Sequence, residues 1–435
     1  VPRPVPRKNA RHAPPRARPK ARPQTRQSSP EGASERVLGV FRVARDGGWI
    51  EPTDRRIRAT FKVARADFAG AEEGEIVLAE ILSHSFHGPA KARIIERIGT
   101  ETDPHAFSLI AIHAQGIPTV FSEQALALAA SARPVRLGKR TDLRGIPLVT
   151  IDGEDARDFD DAVWAEPDPQ SPGGWHLVVA IADVAWYVRP GEALDAAARE
   201  RGNSVYFPDR VVPMLPEALS NELCSLKPGV DRACMAVHLW IDAEGTLSRH
   251  RFVRGLMRSA ARLTYEEAEA AIEGRPSSAA PLLEKVLRPL YGAYAALERA
   301  RAKRGTLEID LPERRVELDD KGRILQIAPR ARLTSHKLIE EFMIAANVAA
   351  AQRLEALHQL CMYRVHDTPD PEKLASLRDF LDSIGIHGLK LARGQVVRPR
   401  HFNDILKRAA ATPHAAMINE LVLRTQAQAV YSPEN

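Results

Sequence analysis

The chain has 435 residues, room for two or three domains, and its 44% hydrophobic and 27% charged content is that of an ordinary globular protein. No apolar run is long enough to span a bilayer. Its three cysteines, Cys224, Cys234 and Cys361, form neither a metal-binding spacing nor a disulfide framework, so a reducing cytoplasm is expected. The formal net charge of +6 is unevenly placed: residues 1–30 carry nine Lys or Arg and no acid, and without them the remainder is at −3.

The elements are read in chain order. Residues 1–35 form a basic Pro/Arg-rich tail with eight prolines and no aromatic residue among the first thirty, a composition expected to stay disordered. It serves either as a salt-sensitive phosphate attractor or as a plain solubilising leader. No signal-peptide pattern is visible in a chain that starts at Val1. Residues 36–100 contain five short β-prone runs, at 37–43, 48–52, 59–63, 75–82 and 90–97, which point to a small barrel of the oligonucleotide-binding (OB) type. Phe41, Trp49 and Phe61 are its possible stacking faces, or its core. Residues 101–145 read as a linker with one helix at 122–132.

From 146 to 435 strands alternate irregularly with helices, an α+β pattern. Helices are expected at 192–201 and 282–304, and a hairpin at 315–327 turning at Asp319-Asp320-Lys321-Gly322. A long helix at 338–357 has apolar residues on nearly every side, which argues burial. Glu340 and Asn347 share one face of that helix. As a buried acid and a buried amide they need partners, either substrate, a neighbouring arginine or a structural hydrogen-bond network.

The richest segment is Thr150-Ile151-Asp152-Gly153-Glu154-Asp155-Ala156-Arg157-Asp158-Phe159-Asp160-Asp161, with six carboxylates in twelve residues. Unit charges a few Å apart repel by about 1 to 4 kcal/mol each. A solvated surface loop would tolerate this. A catalytic loop would balance it with a divalent metal, magnesium being the hard cation best suited to oxygen ligands. Apolar strand-like runs on both sides favour the catalytic reading. An EF-hand calcium loop fits poorly, because the glycine comes second and strands flank the loop.

This segment resembles the signature of the ribonuclease II/ribonuclease R family of 3′-to-5′ exoribonucleases. Further blocks follow in the family's order: Asn203-Ser204-Val205-Tyr206-Phe207-Pro208, Leu219-Ser220-Asn221-Glu222-Leu223-Cys224-Ser225-Leu226, Arg262-Leu263-Thr264-Tyr265, the run from His336 to Asn347, and Tyr363-Arg364-Val365-His366-Asp367. The resemblance covers about residues 140–435. It implies an OB or cold-shock-like domain followed by a ribonuclease II-type catalytic domain. The expected reaction is processive, magnesium-dependent hydrolysis of single-stranded RNA by a monomer, releasing nucleoside 5′-monophosphates, with DNA not a substrate. Asp152, Asp158, Asp160 and Asp161 match the family's catalytic and metal-ligating acids, with two Mg2+ ions expected. Asp155 and Glu154 fall outside that set, and Arg157 is assigned to charge balance.

Tyr206 matches an aromatic position that lies against the 3′-terminal nucleotide, with a core tyrosine as the alternative. Arg364 and His366 are candidate phosphate contacts, and Glu340 and Asn347 candidate RNA contacts. Ile309 departs from the phenylalanine that relatives often carry there, which puts that end of the strand clamp in doubt. The family continues beyond the position of Asn435 with an arginine- and histidine-rich segment and usually an S1 domain, so the chain is expected to be a fragment. Two other readings stay open: a non-catalytic RNA-binding protein, and a phosphoesterase acting on DNA or small nucleotides.

Overall fold

The computed structural model describes residues 35–54, 56–83, 89–100, 104–309, 313–319, 322–387 and 397–435. Residues 1–34 of the basic tail and the central turn residues Asp320 and Lys321 lie outside the described residues. The chain divides into two compact units, residues 1–114 and 115–435.

In the first unit five strands close into a barrel: β1 (Arg36–Ala44), β2 (Gly47–Pro52), β3 (Phe61–Val63), β4 (Glu75–Ser83) and β5 (Ala90–Thr100), in the order β1-β2-β3-β5-β4. These are the five strands expected from the β-prone runs. Phe41 and Phe61 are buried in the barrel core with Ile50, Val63 and Val77. Trp49 instead lies partly exposed, with the Lys62 ammonium 5.7 Å from its ring centre, so of the three aromatics it alone offers a surface face. Helix α1 (Pro104–Ala114) is an addition to the expected elements. Its Ala106, Leu109 and Ile110 pack on Leu38, Ile76, Leu78 and Ile98 of the barrel wall.

The second unit opens with α2 (Glu123–Ser131), started by the Ser122 hydroxyl, which accepts a hydrogen bond from the Ala125 N–H. The following elements are β6 (Thr141–Asp142), β7 (Val149–Asp152), β8 (Asp161–Pro167), β9 (Trp175–Ala182), α3 (Ala193–Arg201), β10 (Val205–Tyr206) and β11 (Val211–Val212). Then come β12 (Asp231–Ile241), β13 (Leu247–Arg258), β14 (Ala261–Thr264), α4 (Tyr265–Ile272), α5 (Arg288–Arg304), β15 (Glu313–Leu318), β16 (Ile324–Arg330) and α6 (Thr334–Ala356). β17 (Tyr363–Val365), α7 (Pro371–Ser383), α8 (Pro399–Ala409), α9 (Ala415–Thr425) and β18 (Val430–Ser432) complete it.

Its centre is a seven-stranded sheet in the order β14-β7-β8-β9-β12-β13-β6. The middle pairs are antiparallel, whereas β14–β7 and β13–β6 are parallel. Because successive residues alternate between faces, the sheet feeds two cores. Val149, Ile151, Val163, Leu177 and Leu239 meet α4, α5 and α6 on one side. Ala162, Val178, Ala180 and Ala236 meet α2, α3 and the wide helical turn Ala218–Leu223 on the other. Burial on both faces explains the near-continuous apolar runs of these strands. At Gly292 a Cβ would collide with the Trp175 ring, so α5 sits against β9 at a distance only glycine permits. The result is the expected α+β architecture.

The long helix departs from expectation. Ile344 and Val348 of α6 are exposed, so it is buried on one face rather than all round. Asn347 is exposed, and Glu340 is half-buried. The buried acid is its neighbour Glu341, which accepts from Arg301 at 2.6 Å. One residue is 100° around a helix, enough to exchange core for surface.

Candidate active site

The acidic segment is a loop between adjacent strands. Asp152 closes β7, Asp158 and Asp160 lie in the loop, and Asp161 opens β8. Strand ends set two of the four carboxylates: Asp152 pairs with Thr264 of β14, and Asp161 with Ile181 of β9. The Ala182 N–H donates to the Asp160 carbonyl at 2.9 Å, anchoring the loop's exit.

The middle of the loop is strapped from a distant segment. The fully buried Ser225 hydroxyl donates to the Arg157 carbonyl at 2.8 Å and accepts from the Phe159 N–H at 3.2 Å. The Leu226 N–H donates to the Phe159 carbonyl at 2.7 Å. With Phe159 buried between them, Asp158 and Asp160 flank a fixed point. Arg262 holds the loop's other shoulder by donating to the carbonyls of Gly153 at 3.0 Å and Glu154 at 2.6 Å.

The carboxylates act on one another. Burial, then the charge of Asp158, raises the pKa of Asp152. Asp160 keeps an accessible edge, yet crowding removes enough water to raise its pKa too, aided by Asp158 and Asp152. Asp161 is raised to about 7 by burial and by the charges of Asp160 and Asp152. Its Oδ2 is buried and has no hydrogen-bond partner. Arg262 and Arg330 are the cations that oppose the rise at Asp152, in the role the sequence assigned to Arg157. Asp155 points elsewhere: it is exposed and pairs with Arg315 at 3.2 Å.

Two tyrosines border the acids. Tyr206, on the β10–β11 hairpin, is 64% exposed, which excludes the core alternative, and its hydroxyl donates to Asp158 Oδ2 at 2.8 Å. Tyr265 begins α4 immediately after Thr264, whose side chain caps that helix in a reciprocal pair with Glu267. The Tyr265 phenol is pushed up to about 12 by burial and by the negative charges of Asp152 and Asp161. Its ring stacks on His336, centroids 3.9 Å apart. Sequence reasoning assigns no role to Ser225, Arg262, Arg330 or Tyr265. All but Arg330 lie within the motif blocks, which is the signal that could have found them.

The remaining candidates make their contacts with other groups. Glu340 accepts from Arg332 at 2.5 Å and from Arg301 at 3.4 Å, so a structural network already satisfies it. Arg364 is exposed on the two-stranded β17–β18 sheet, 6.0 Å from the Tyr431 ring centre, and the His366 Nδ1 lies 3.0 Å from the Ala427 carbonyl. Ile309 packs beside the cluster of α7, α8 and α9, which includes Leu377, Phe402 and Ile418.

Oxygen donors, mutual repulsion and an orphaned buried carboxylate oxygen fit a hard divalent cation. Among the described residues, however, no three His, Cys, Asp or Glu side chains converge into one ligand group.

Comparison with known proteins agrees with this architecture. The family model for the RNB domain matches residues 140–435, and that for the cold shock domain matches residues 49–122. Ribonuclease R of Vibrio parahaemolyticus serotype O3:K6 is 38% identical over 418 residues, 93% of this chain and 49% of that protein. Ribonuclease R of Escherichia coli K12 is 38% identical over 410 residues, 92% of this chain and 50% of that protein. The chain thus spans about half the length of these curated relatives. Among solved structures, Mycoplasma genitalium RNase R in complex with ribose methylated single-stranded RNA superposes with a TM-score of 0.85 at 24% identity, covering 92% of this chain and 64% of that one. Yeast Ssd1, described as a pseudonuclease, gives 0.67 at 16% identity, covering 93% and 50%. At these identities the likeness is one of fold.

Proposed function

The chain belongs to the RNB-domain family, and from that premise we propose that it is a 3′-to-5′ exoribonuclease that hydrolyses single-stranded RNA processively and releases nucleoside 5′-monophosphates. The observation that carries this reading is the buried, unpartnered Oδ2 of Asp161 among Asp152, Asp158 and Asp160 on a strapped loop. These four aspartates would hold two Mg2+ ions, which when bound supply charge neutralisation at the phosphate and an activated water. The rest falls to the chain's own groups. Ser225 and Arg262 keep the loop backbone in place. Tyr206 offers an exposed ring to the terminal base while its hydroxyl holds Asp158. Such stacking is worth about 1–3 kcal/mol per base. Arg364, His366 and Asn347 would be further RNA contacts, whereas Glu340 is held by Arg332 and Arg301.

The protein works as a monomer on RNA rather than DNA, in the cytoplasm. Among the described residues all three cysteines are free, as a reducing compartment requires, and no helix is long and apolar enough to cross a membrane. A second reading, RNA binding without hydrolysis, draws on the absence of a converged ligand group among the described residues and on the fold shared with the yeast pseudonuclease. One experiment separates the two. Purified chain is incubated with 5′-labelled single-stranded RNA in Mg2+ and in EDTA. Shortening from the 3′ end with release of 5′-monophosphates, only in Mg2+, supports the nuclease. Retention of full-length RNA in a complex under both conditions supports the binding protein.

A further inference from the structure

We propose that the outer edge of β13 is a docking site for an extended, acidic polypeptide segment of a partner protein, which adds a strand to the central sheet. The site is separate from the acid loop, since β9 and β12 lie between β8 and β13 in the sheet order. The edge follows from strand lengths. On one side β12 pairs with β13 from Asp231↔Arg258 to Ile241↔Leu247. On the other side β6 pairs only with Gly255 and Leu256. The Leu143 N–H donates to the Leu256 carbonyl at 2.9 Å, so the backbone groups of Leu256 face away from β12. These directions alternate along a strand, and the register with β12 is regular from Leu256 back to Arg249. His250, Phe252 and Arg254 therefore also turn their N–H and C=O groups to the open side. Among the described residues no strand pairs with them there.

Side chains set what can pair with this edge. Arg249 and Arg251 are exposed on one face of the sheet, and among the described residues neither has an acidic partner. The Arg249 guanidinium lies 3.9 Å from the Trp240 ring centre, which steadies it. The opposite face carries His250, Phe252 and Arg254. The His250 and Phe252 rings meet edge-on with centroids 5.8 Å apart. Arg254 is exposed, and its nearest acid is Asp183 at 3.8 Å, which Arg140 already holds at 2.7 Å.

Charge and main-chain chemistry decide the occupant. A second copy of this edge would bring two sets of arginines together. The chain's own first thirty residues carry nine Lys or Arg and no acid, so they are repelled as well. A phosphodiester backbone offers acceptors to the N–H groups and leaves the carbonyls facing phosphate oxygens. An extended peptide answers both, carbonyl to N–H and N–H to carbonyl. With Asp or Glu at alternate positions it sets carboxylates beside Arg249 and Arg251, and apolar residues between them cover Phe252. The arginines that keep two such edges apart thus select an acidic strand.

The test uses the full chain and a fluorescent peptide of about eight residues alternating Glu and Val, the length of an ordinary strand. Binding, read by anisotropy, should slow amide exchange at His250, Phe252 and Arg254 and leave the barrel unchanged. A fully N-methylated form keeps the charge and loses the donors, and it should bind at least about tenfold more weakly. Arg249→Glu/Arg251→Glu should shift preference from the Glu–Val peptide to a Lys–Val peptide. His250→Pro removes an outward donor and no ladder bond, and should weaken binding in a chain that melts like wild type. The methylated peptide makes the same test on the unaltered chain. Equal binding of methylated and plain peptides, or unslowed exchange at the edge, would overturn the proposal. So would single-stranded RNA displacing the peptide while protecting the same amides, which makes the edge a nucleic-acid site. A concentration-dependent dimer lost in His250→Pro would overturn it in favour of a second copy. None of these outcomes depends on whether the chain hydrolyses RNA.

Discussion

The Tyr206 hydroxyl donates a 2.8 Å hydrogen bond to Asp158 across 48 residues of sequence, tying an exposed aromatic ring to the acid loop. Ring and hydroxyl therefore have separable roles. Tyr206→Phe keeps the stacking face and releases Asp158. It should leave RNA affinity within about twofold while lowering turnover. Tyr206→Ala removes the face as well and should weaken binding by about 1–3 kcal/mol. Titration of labelled RNA in EDTA, beside single-turnover rates in Mg2+, checks both. Equal affinity losses for the two variants would mean the ring does not stack.

Asp160 and Asp155 make a matched pair of probes five residues apart. Asp160→Asn removes charge at the acid cluster and should cost about 3 kcal/mol or more in the barrier, a hundredfold or more in rate. RNA binding should hold or tighten, since one charge repelling phosphate is gone. Asp155→Asn breaks only an exposed pair with Arg315, worth at most about 1 kcal/mol. Comparable rate losses for the two substitutions would show that the loop has been assigned to the wrong acids.

Ser225 holds the loop without touching its carboxylates. Ser225→Ala strands the buried Phe159 N–H and should destabilise the fold by about 1–3 kcal/mol. Amide exchange at Phe159 should speed up more than exchange in the barrel. Uniform exchange changes across the chain would argue against a local strap.

A pH dependence should come from His238. Its Nδ1 lies 3.0 Å from the His176 Nε2, and burial, His176 and nearby Arg251 lower its pKa to about 4 from 6.5. In the folded chain it stays neutral where the unfolded chain binds a proton. The His238 contribution to stability is therefore complete above about pH 6.5 and is lost as pH drops toward 4. Asp161, raised to about 7, gains its proton in the folded chain over the same window and works in the opposite direction, so the His238 contribution is read as a difference between two chains. Denaturant midpoints of wild type minus those of His238→Phe, which cannot titrate, should fall from pH 6.5 toward 4, and a constant difference would remove His238 as a contributor.

Local pattern was enough for the five barrel strands, the Ser122-capped helix, the hairpin and the strand–acid loop–strand unit, because alternation, capping and charge density are written in neighbouring residues. The family resemblance likewise drew attention to the four aspartates. Tertiary structure decided which side chains meet. It strapped the loop with Ser225, 66 residues from Phe159, and braced it with Arg262, 109 residues from Gly153. It turned Asn347 outward and buried Glu341 in place of Glu340, since α6 packs along one face while its apolar residues run nearly all round. It brought Tyr206 to the surface beside Asp158, and placed Arg330 and Tyr265 near the acids. Periodicity reports whether a residue can be buried. Which neighbour it meets depends on strand order and helix packing, which are long-range properties of the chain.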